Sequence, residues 1–162
     1  MRSKAALGNH PLHPPLVAVP IGAFVLTLIS DLAHLRTENA FWYDFSRYAL
    51  LIGVVSALVA AVAGFIDFFG VRMSSRGRRL ATTHMAINLV GMVLFAASLW
   101  LRWNGGALYN DRWIPAMGLS TLALLGLSIS GWLGGKLAFE HKVGVVENAD
   151  PEATDIGRRE AA

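Results

Sequence analysis

Four histidines and one carboxylate offer chemistry at the edges of the apolar segments of this sequence. These residues are His10, His13, Asp67, His84 and His141. Neutral imidazole binds haem iron and also suits iron, copper or zinc ions. Imidazole and carboxylate groups inside a membrane also form proton relays. The five residues are therefore a candidate site for a cofactor, a metal ion or a proton path.

These side chains form two alternative sets of candidate ligands. In the first, two of His13, His84 and His141 bind a haem b iron axially. In the second, a transition metal is held by His10, His13, His84 and His141. Asp67 could accept a hydrogen bond from an imidazole N–H and fix its tautomer, as carboxylates do behind metal-bound histidines. The alternative is an Asp67–His84 hydrogen bond that only joins two helices.

Two short-range pairs accompany these residues. His84 and Asn88 are four residues apart and share one face of a helix. Asp31 and His34 are three apart near the other end of the first apolar segment. We interpret Asp31 and His34 as a polar cap, with a second site as the alternative.

The elements that position these residues are membrane spans. The chain has 162 residues, of which 54% are apolar and 15% charged, and its mean hydropathy is +0.48. A soluble bundle would show apolar stripes beside polar faces, whereas here whole segments lack charge for about 20 residues. The spans are Leu16 to Leu35, Tyr48 to Val71, Leu80 to Leu101 and Ile114 to Phe139.

Short connections force neighbouring spans to be antiparallel. The sequence thus predicts an all-α, four-helix transmembrane bundle over residues 1–145, with up-down-up-down topology and no convincing internal repeat. This threading places all five candidate residues at one end. The second and fourth spans carry small residues at a spacing of four, which predicts that these two helices lie deepest. The small residues include Gly53, Ala57 and Ala61 in the second span and Gly126, Ser130 and Gly134 in the fourth.

Charge and aromatic residues predict the orientation. The end with both termini carries nine Lys and Arg residues and the other end four, so the positive-inside rule predicts cytoplasmic termini. Seven aromatic residues gather at the opposite end as an interfacial belt: Trp42, Tyr43, Tyr48, Trp100, Trp103, Tyr109 and Trp113. Residues 146–162 form an acidic segment that we expect to be disordered.

Composition excludes several function classes. The chain has no cysteine, which removes disulfides and thiolate ligands. Its net charge is +3, but the basic residues flank spans, so nucleic acid is not an expected partner. No Ser, His and Asp set lies in a nucleophile motif, so a hydrolase is not expected and a stand-alone enzyme is disfavoured.

Motifs at both ends of the chain resemble a bacterial membrane family known as domain of unknown function 2231. The matching segments are residues 10–14, 19–22, 64–67 and 131–145, together with Asp31 and His84. Lys142 replaces an expected glycine and Phe139 a frequent tyrosine. The resemblance implies a four-span protein without an assigned activity, sometimes joined to Rieske iron–sulfur domains, although no Rieske motif is present here.

Three functions remain open for a multi-pass protein of the bacterial cytoplasmic membrane. The first is a haem- or metal-binding redox module, or a membrane subunit of a redox complex, with a protein redox partner. The second is a proton-coupled transporter or channel component, for which a homodimer would supply further helices. The third is a non-catalytic membrane scaffold whose polar residues only form hydrogen bonds.

Overall fold

The computed structural model describes residues 3–8, 10–104 and 112–145. The four helices are α1 (His13–Thr37), α2 (Ala40–Gly70), α3 (Ser75–Asn104) and α4 (Trp113–Phe139). Before α1, β1 (Ala6–Leu7) and β2 (His10–Pro11) form a two-stranded antiparallel sheet. The predicted all-α bundle of four long helices is confirmed. Tyr109 and the acidic segment 146–162 lie outside the described residues.

The helices extend beyond the apolar segments that predicted them. Helix α2 begins at Ala40 rather than near Tyr48, because Asn39 caps its first turn by accepting a hydrogen bond from Phe41 N at 2.9 Å. Helix α1 ends where Glu38 adopts a left-handed conformation with φ 53°. Hydropathy detects only the part of a helix inside hydrocarbon, whereas backbone hydrogen bonds continue into the polar flanks.

The exterior of the bundle is apolar. All four helices are long and apolar enough to cross a membrane. Large side chains such as Val62, Leu125 and Trp132 are 61%, 61% and 72% exposed. Contiguous apolar surface of this kind is rare on soluble monomers and is the expected surface against lipid. The chain is therefore a multi-pass membrane protein whose helices contact the lipid bilayer.

The bundle consists of two helical hairpins. Helix α1 packs mainly against α2, and α3 packs mainly against α4, while contacts between the hairpins are fewer. At the centre, the rings of Phe24 and Phe95 stack with their centroids 3.6 Å apart, beside Leu50 and Ala123. The expectation that α2 and α4 lie deepest is wrong for α1, whose apolar span is buried to a larger share than either, whereas α3 is the most exposed of the four helices. Gly53 of α2 provides the space for the Phe24 ring.

Candidate functional site

His13 is the first residue of α1, and its imidazole is fixed against α2. Its Nδ1 donates to Ala60 O at 2.9 Å. The ring lies over Gly64, where a Cβ atom would be 3.0 Å from His13 Cε1. A backbone carbonyl can only accept, so Nδ1 carries the proton and Nε2 carries the lone pair. The contact thus selects the tautomer that offers Nε2 as a ligand atom.

His84 of α3 has the same arrangement against α4. Its Nδ1 donates to Ser130 O at 2.8 Å, and a Cβ on Gly134 would be 3.1 Å from His84 Cε1. The predicted shared face with Asn88 is confirmed, because Asn88 Nδ2 donates to His84 Nε2 at 3.1 Å. The same amide nitrogen also lies within hydrogen-bonding distance of Ser130 Oγ, at 2.7 Å. The Nε2 lone pair of His84 therefore accepts from Asn88, whose amide can also donate to Ser130 Oγ.

The two imidazoles form a matched pair. Each ring packs on a glycine of the neighbouring helix and donates to the carbonyl four residues before that glycine. Metal-bound histidines commonly donate their second ring N–H to a backbone carbonyl, which orients the ring and raises its basicity. The pair therefore has the hydrogen bonding of two imidazole ligands.

The other two histidines lie outside this pair. His10 is in β2, opposite Leu7, and its side chain is exposed. His141 follows α4, with its Nδ1 3.4 Å from the position of a Cβ on Gly77. Within residues 3–8, 10–104 and 112–145, no three His, Asp or Glu side chains are grouped to hold a metal ion. A metal site built from all four histidines therefore stays a prediction.

Asp67 holds the N-terminal segment and not an imidazole. Its carboxylate accepts hydrogen bonds from Ser3 Oγ at 2.8 Å, from Lys4 N at 2.6 Å and from Ala5 N at 2.9 Å. The predicted contact with His84 is wrong, because the carboxylate is taken by residues 3–5 and the two ring nitrogens of His84 contact Ser130 and Asn88 instead. Asp67 thus anchors the segment that leads into α1.

A buried ion pair lies at the opposite end of the bundle. Arg102 Nη1 and Nη2 donate to the two carboxylate oxygens of Asp31, at 2.6 and 2.7 Å, and both side chains are 0% exposed. Ser46 Oγ and Ser120 Oγ accept further hydrogen bonds from the guanidinium, at 2.9 and 3.1 Å. These bonds offset the large cost of removing two charges from water.

Sequence reasoning missed the role of Arg102. The span limits Leu80 to Leu101 leave Arg102 outside the third span, as one of the four basic residues counted for orientation at that end, but it lies inside α3. Asp31 was the signal that could have identified this role of Arg102. A carboxylate inside an apolar segment requires a partner, and Arg102 lies at the same depth.

His34 belongs to the same end. Its Nδ1 donates to Asn39 O at 3.0 Å, and its ring meets the Trp113 ring edge-on with centroids 4.9 Å apart. Asp31 and His34 are both buried. The predicted polar cap is thus present as a buried cluster, although the carboxylate of Asp31 is taken by Arg102.

The fold and the paired histidines define a four-span membrane bundle with a polar cluster at each end. The chain belongs to the family described as a predicted membrane protein (DUF2231), whose model matches residues 9–147. This confirms the resemblance noted from the sequence motifs. No curated protein and no solved structure matches the chain.

Proposed function

We propose that the chain is a membrane redox module in which His13 and His84 bind a haem b iron through their Nε2 atoms. The observation that supports this proposal most is the matched pair of Nδ1 hydrogen bonds to Ala60 O and Ser130 O. Both bonds leave the lone pair on Nε2, where an iron ligand needs it. Bound haem would supply a one-electron carrier, exchanging electrons with a redox partner.

The size of the ligand set favours haem over a bare ion. Two imidazoles complete the coordination of a haem iron, whereas transition metal sites in proteins usually take three or four side-chain ligands. The described part of the chain supplies no third ligand beside the pair. Asn88 must turn away from His84 Nε2 for iron to bind, and it can retain its bond to Ser130 Oγ.

A proton path across the bilayer has less support. The histidine pair and the Asp31–Arg102 pair lie in different layers. Between them, Phe24, Leu50, Phe95 and Ala123 fill the centre with apolar side chains. A relay needs polar groups or water within hydrogen-bonding reach along its length, and the four side chains of this central cluster are all apolar.

The spectrum of the purified protein tests the haem proposal. The protein is purified in mild detergent and mixed with hemin, and the unbound hemin is then removed. The visible absorbance spectrum is recorded for the oxidised and for the reduced sample. We expect one low-spin haem per chain, lost in His13→Ala and in His84→Ala but retained in the matched controls His10→Ala and His141→Ala. Absence of a bound-haem band in the unaltered chain would refute the proposal and favour a non-catalytic scaffold. Loss in His141→Ala with retention in His84→Ala would show that another histidine pair binds iron.

The proposed module lies in the bacterial cytoplasmic membrane with the histidine end facing the cytoplasm. This orientation follows from the excess of Lys and Arg at that end. A redox partner would then approach from the cytoplasmic side, where His13 and His84 lie a short distance from the end of the bundle.

A further inference from the structure

Helices α1 and α3 carry corresponding residues at the same intervals. A phenylalanine follows each histidine by 11 residues, and a charged residue follows it by 18. The two series are His13, Phe24 and Asp31 in α1, and His84, Phe95 and Arg102 in α3. At 3.6 residues per turn, these intervals are close to three and five turns, so each series lies on one face of its helix.

Equivalent residues of the two series meet each other. Phe24 stacks on Phe95, and Asp31 forms a bidentate ion pair with Arg102. Contact between equivalent positions is the mark of a two-fold axis, which here passes between α1 and α3. The hairpins α1–α2 and α3–α4 are therefore parallel structural repeats. The sequence predicted no internal repeat because the equivalence lies in contacts and spacing, and Asp31 and Arg102 differ in type.

Few contacts fix one hairpin relative to the other. The hairpins pack on each other mainly through α2 with α3 and α1 with α4, whereas α1 and α3 meet at the centre through the phenylalanine stack and the ion pair. The Phe24–Phe95 stack can slide or tilt at little cost, whereas the planar guanidinium of Arg102 holds Asp31 in a single bidentate geometry. The ion pair is thus the directional contact on the axis.

We propose that Asp31 and Arg102 are positioning residues that set the separation of His13 and His84 at the other end of the bundle. With a rise of 1.5 Å per residue, the ion pair lies about 27 Å from the histidine layer and the phenylalanine stack about 16 Å from it. If the ion pair is lost, α1 and α3 can pivot about the stack, which moves the histidine end in the opposite direction. The effect on haem rests on the proposed function, whereas the effect on helix separation does not.

Spin labels can measure this pivot because the chain has no cysteine. Val19 and Val90 each follow a histidine of the pair by six residues, and they are 55% and 60% exposed. Labels on Val19→Cys and Val90→Cys report the α1–α3 separation near the histidines. Labels on Val25→Cys and Ala96→Cys, directly after the stacked phenylalanines, are the matched control.

The test variant is Asp31→Leu with Arg102→Met, which removes both charges and leaves no unpaired ion in the core. We expect the Val19–Val90 label distance to shift by roughly 2–4 Å and the Val25–Ala96 distance to change by less than about 1 Å, as a pivot of rigid helices requires. Arg102→Lys keeps the positive charge but cannot donate the two parallel hydrogen bonds of a guanidinium. It should therefore shift the Val19–Val90 label distance by less. It also provides a readout if the double variant does not fold.

The outcomes separate the two proposals. Unchanged distances for both label pairs would overturn the positioning role, and so would equal broadening of both, which would indicate general loosening. With haem added, the double variant should lose at least half of its low-spin bis-imidazole signal while retaining its helix content. A shifted Val19–Val90 distance in a protein that binds no haem would uphold the positioning role and reject the haem site.

Discussion

At the scale of single residues, glycine decides where the imidazoles can lie. The rings of His13 and His84 occupy the space that a side chain on Gly64 or Gly134 would fill. Gly131 and Gly135 lie on the same helix as Gly134 but have no neighbour within 4 Å of a Cβ position. The sequence predicted small-residue packing between helices, but it could not indicate which glycine receives a ring.

A single methyl group tests this distinction. In Gly134→Ala the new Cβ would lie 3.1 Å from His84 Cε1, so the ring, held by its hydrogen bond to Ser130 O, must shift by a few tenths of an ångström. We expect a free energy of unfolding about 1–3 kcal/mol lower than in Gly131→Ala, where the methyl meets open space. Unfolding of both variants in mixed micelles measures the difference. Equal stability of the two variants would contradict the packing of His84 on Gly134.

Arg102 shows what sequence reasoning could and could not reach at this scale. Hydropathy placed Arg102 just beyond the end of the third span, where positive charge is common. The direction of its side chain depends on helix rotation and on Asp31, which is 71 residues away in the sequence. The histidines were easier to find, because ionisable residues are rare at apolar segments and the threading of four spans brings their ends together.

At the scale of elements, a carboxylate of α2 anchors the N-terminal segment to the bundle. Asp67 of α2 accepts two backbone amides and one hydroxyl from Ser3, Lys4 and Ala5. Ala5 O in turn accepts from Leu12 N, the residue before His13. The sheet of β1 and β2 is too small to be stable alone, so we expect these three hydrogen bonds to contribute much of what holds the segment against α2.

Removal of the Asp67 carboxylate should release the segment without unfolding the bundle. Hydrogen bonds to a charged acceptor contribute about 1.5–3 kcal/mol, so Asp67→Ala should accelerate amide exchange at Lys4 and Ala5 by about 10–100-fold. Hydrogen exchange measured on the intact chain in detergent tests this. Ser3→Ala is the control, because it removes the hydroxyl bond and leaves both amide bonds. Unchanged exchange in Asp67→Ala would show that other contacts hold the segment.

At the scale of the whole molecule, hydropathy and loop length were sufficient to predict the architecture. Four apolar segments with short connections allow few arrangements in a bilayer, and the up-down-up-down bundle is one of them. The two-fold relation of the hairpins was not predictable in the same way, because lipid-facing positions tolerate any apolar residue and conceal the repeat. Only the positions on the axis, such as Phe24 and Phe95, retain a recognisable correspondence.

The orientation of the whole bundle is the remaining prediction at this scale. Leu7 is 75% exposed at the histidine end and Phe41 is 58% exposed at the other end, and the absence of cysteine makes each a clean site for labelling. With nine Lys and Arg residues at the first end and four at the second, the positive-inside rule places Leu7 in the cytoplasm. A membrane-impermeant maleimide should therefore label Phe41→Cys in intact cells, and Leu7→Cys only after the membrane is opened. The reverse pattern would place the histidine pair at the outer surface, where a cytoplasmic redox partner could not reach it.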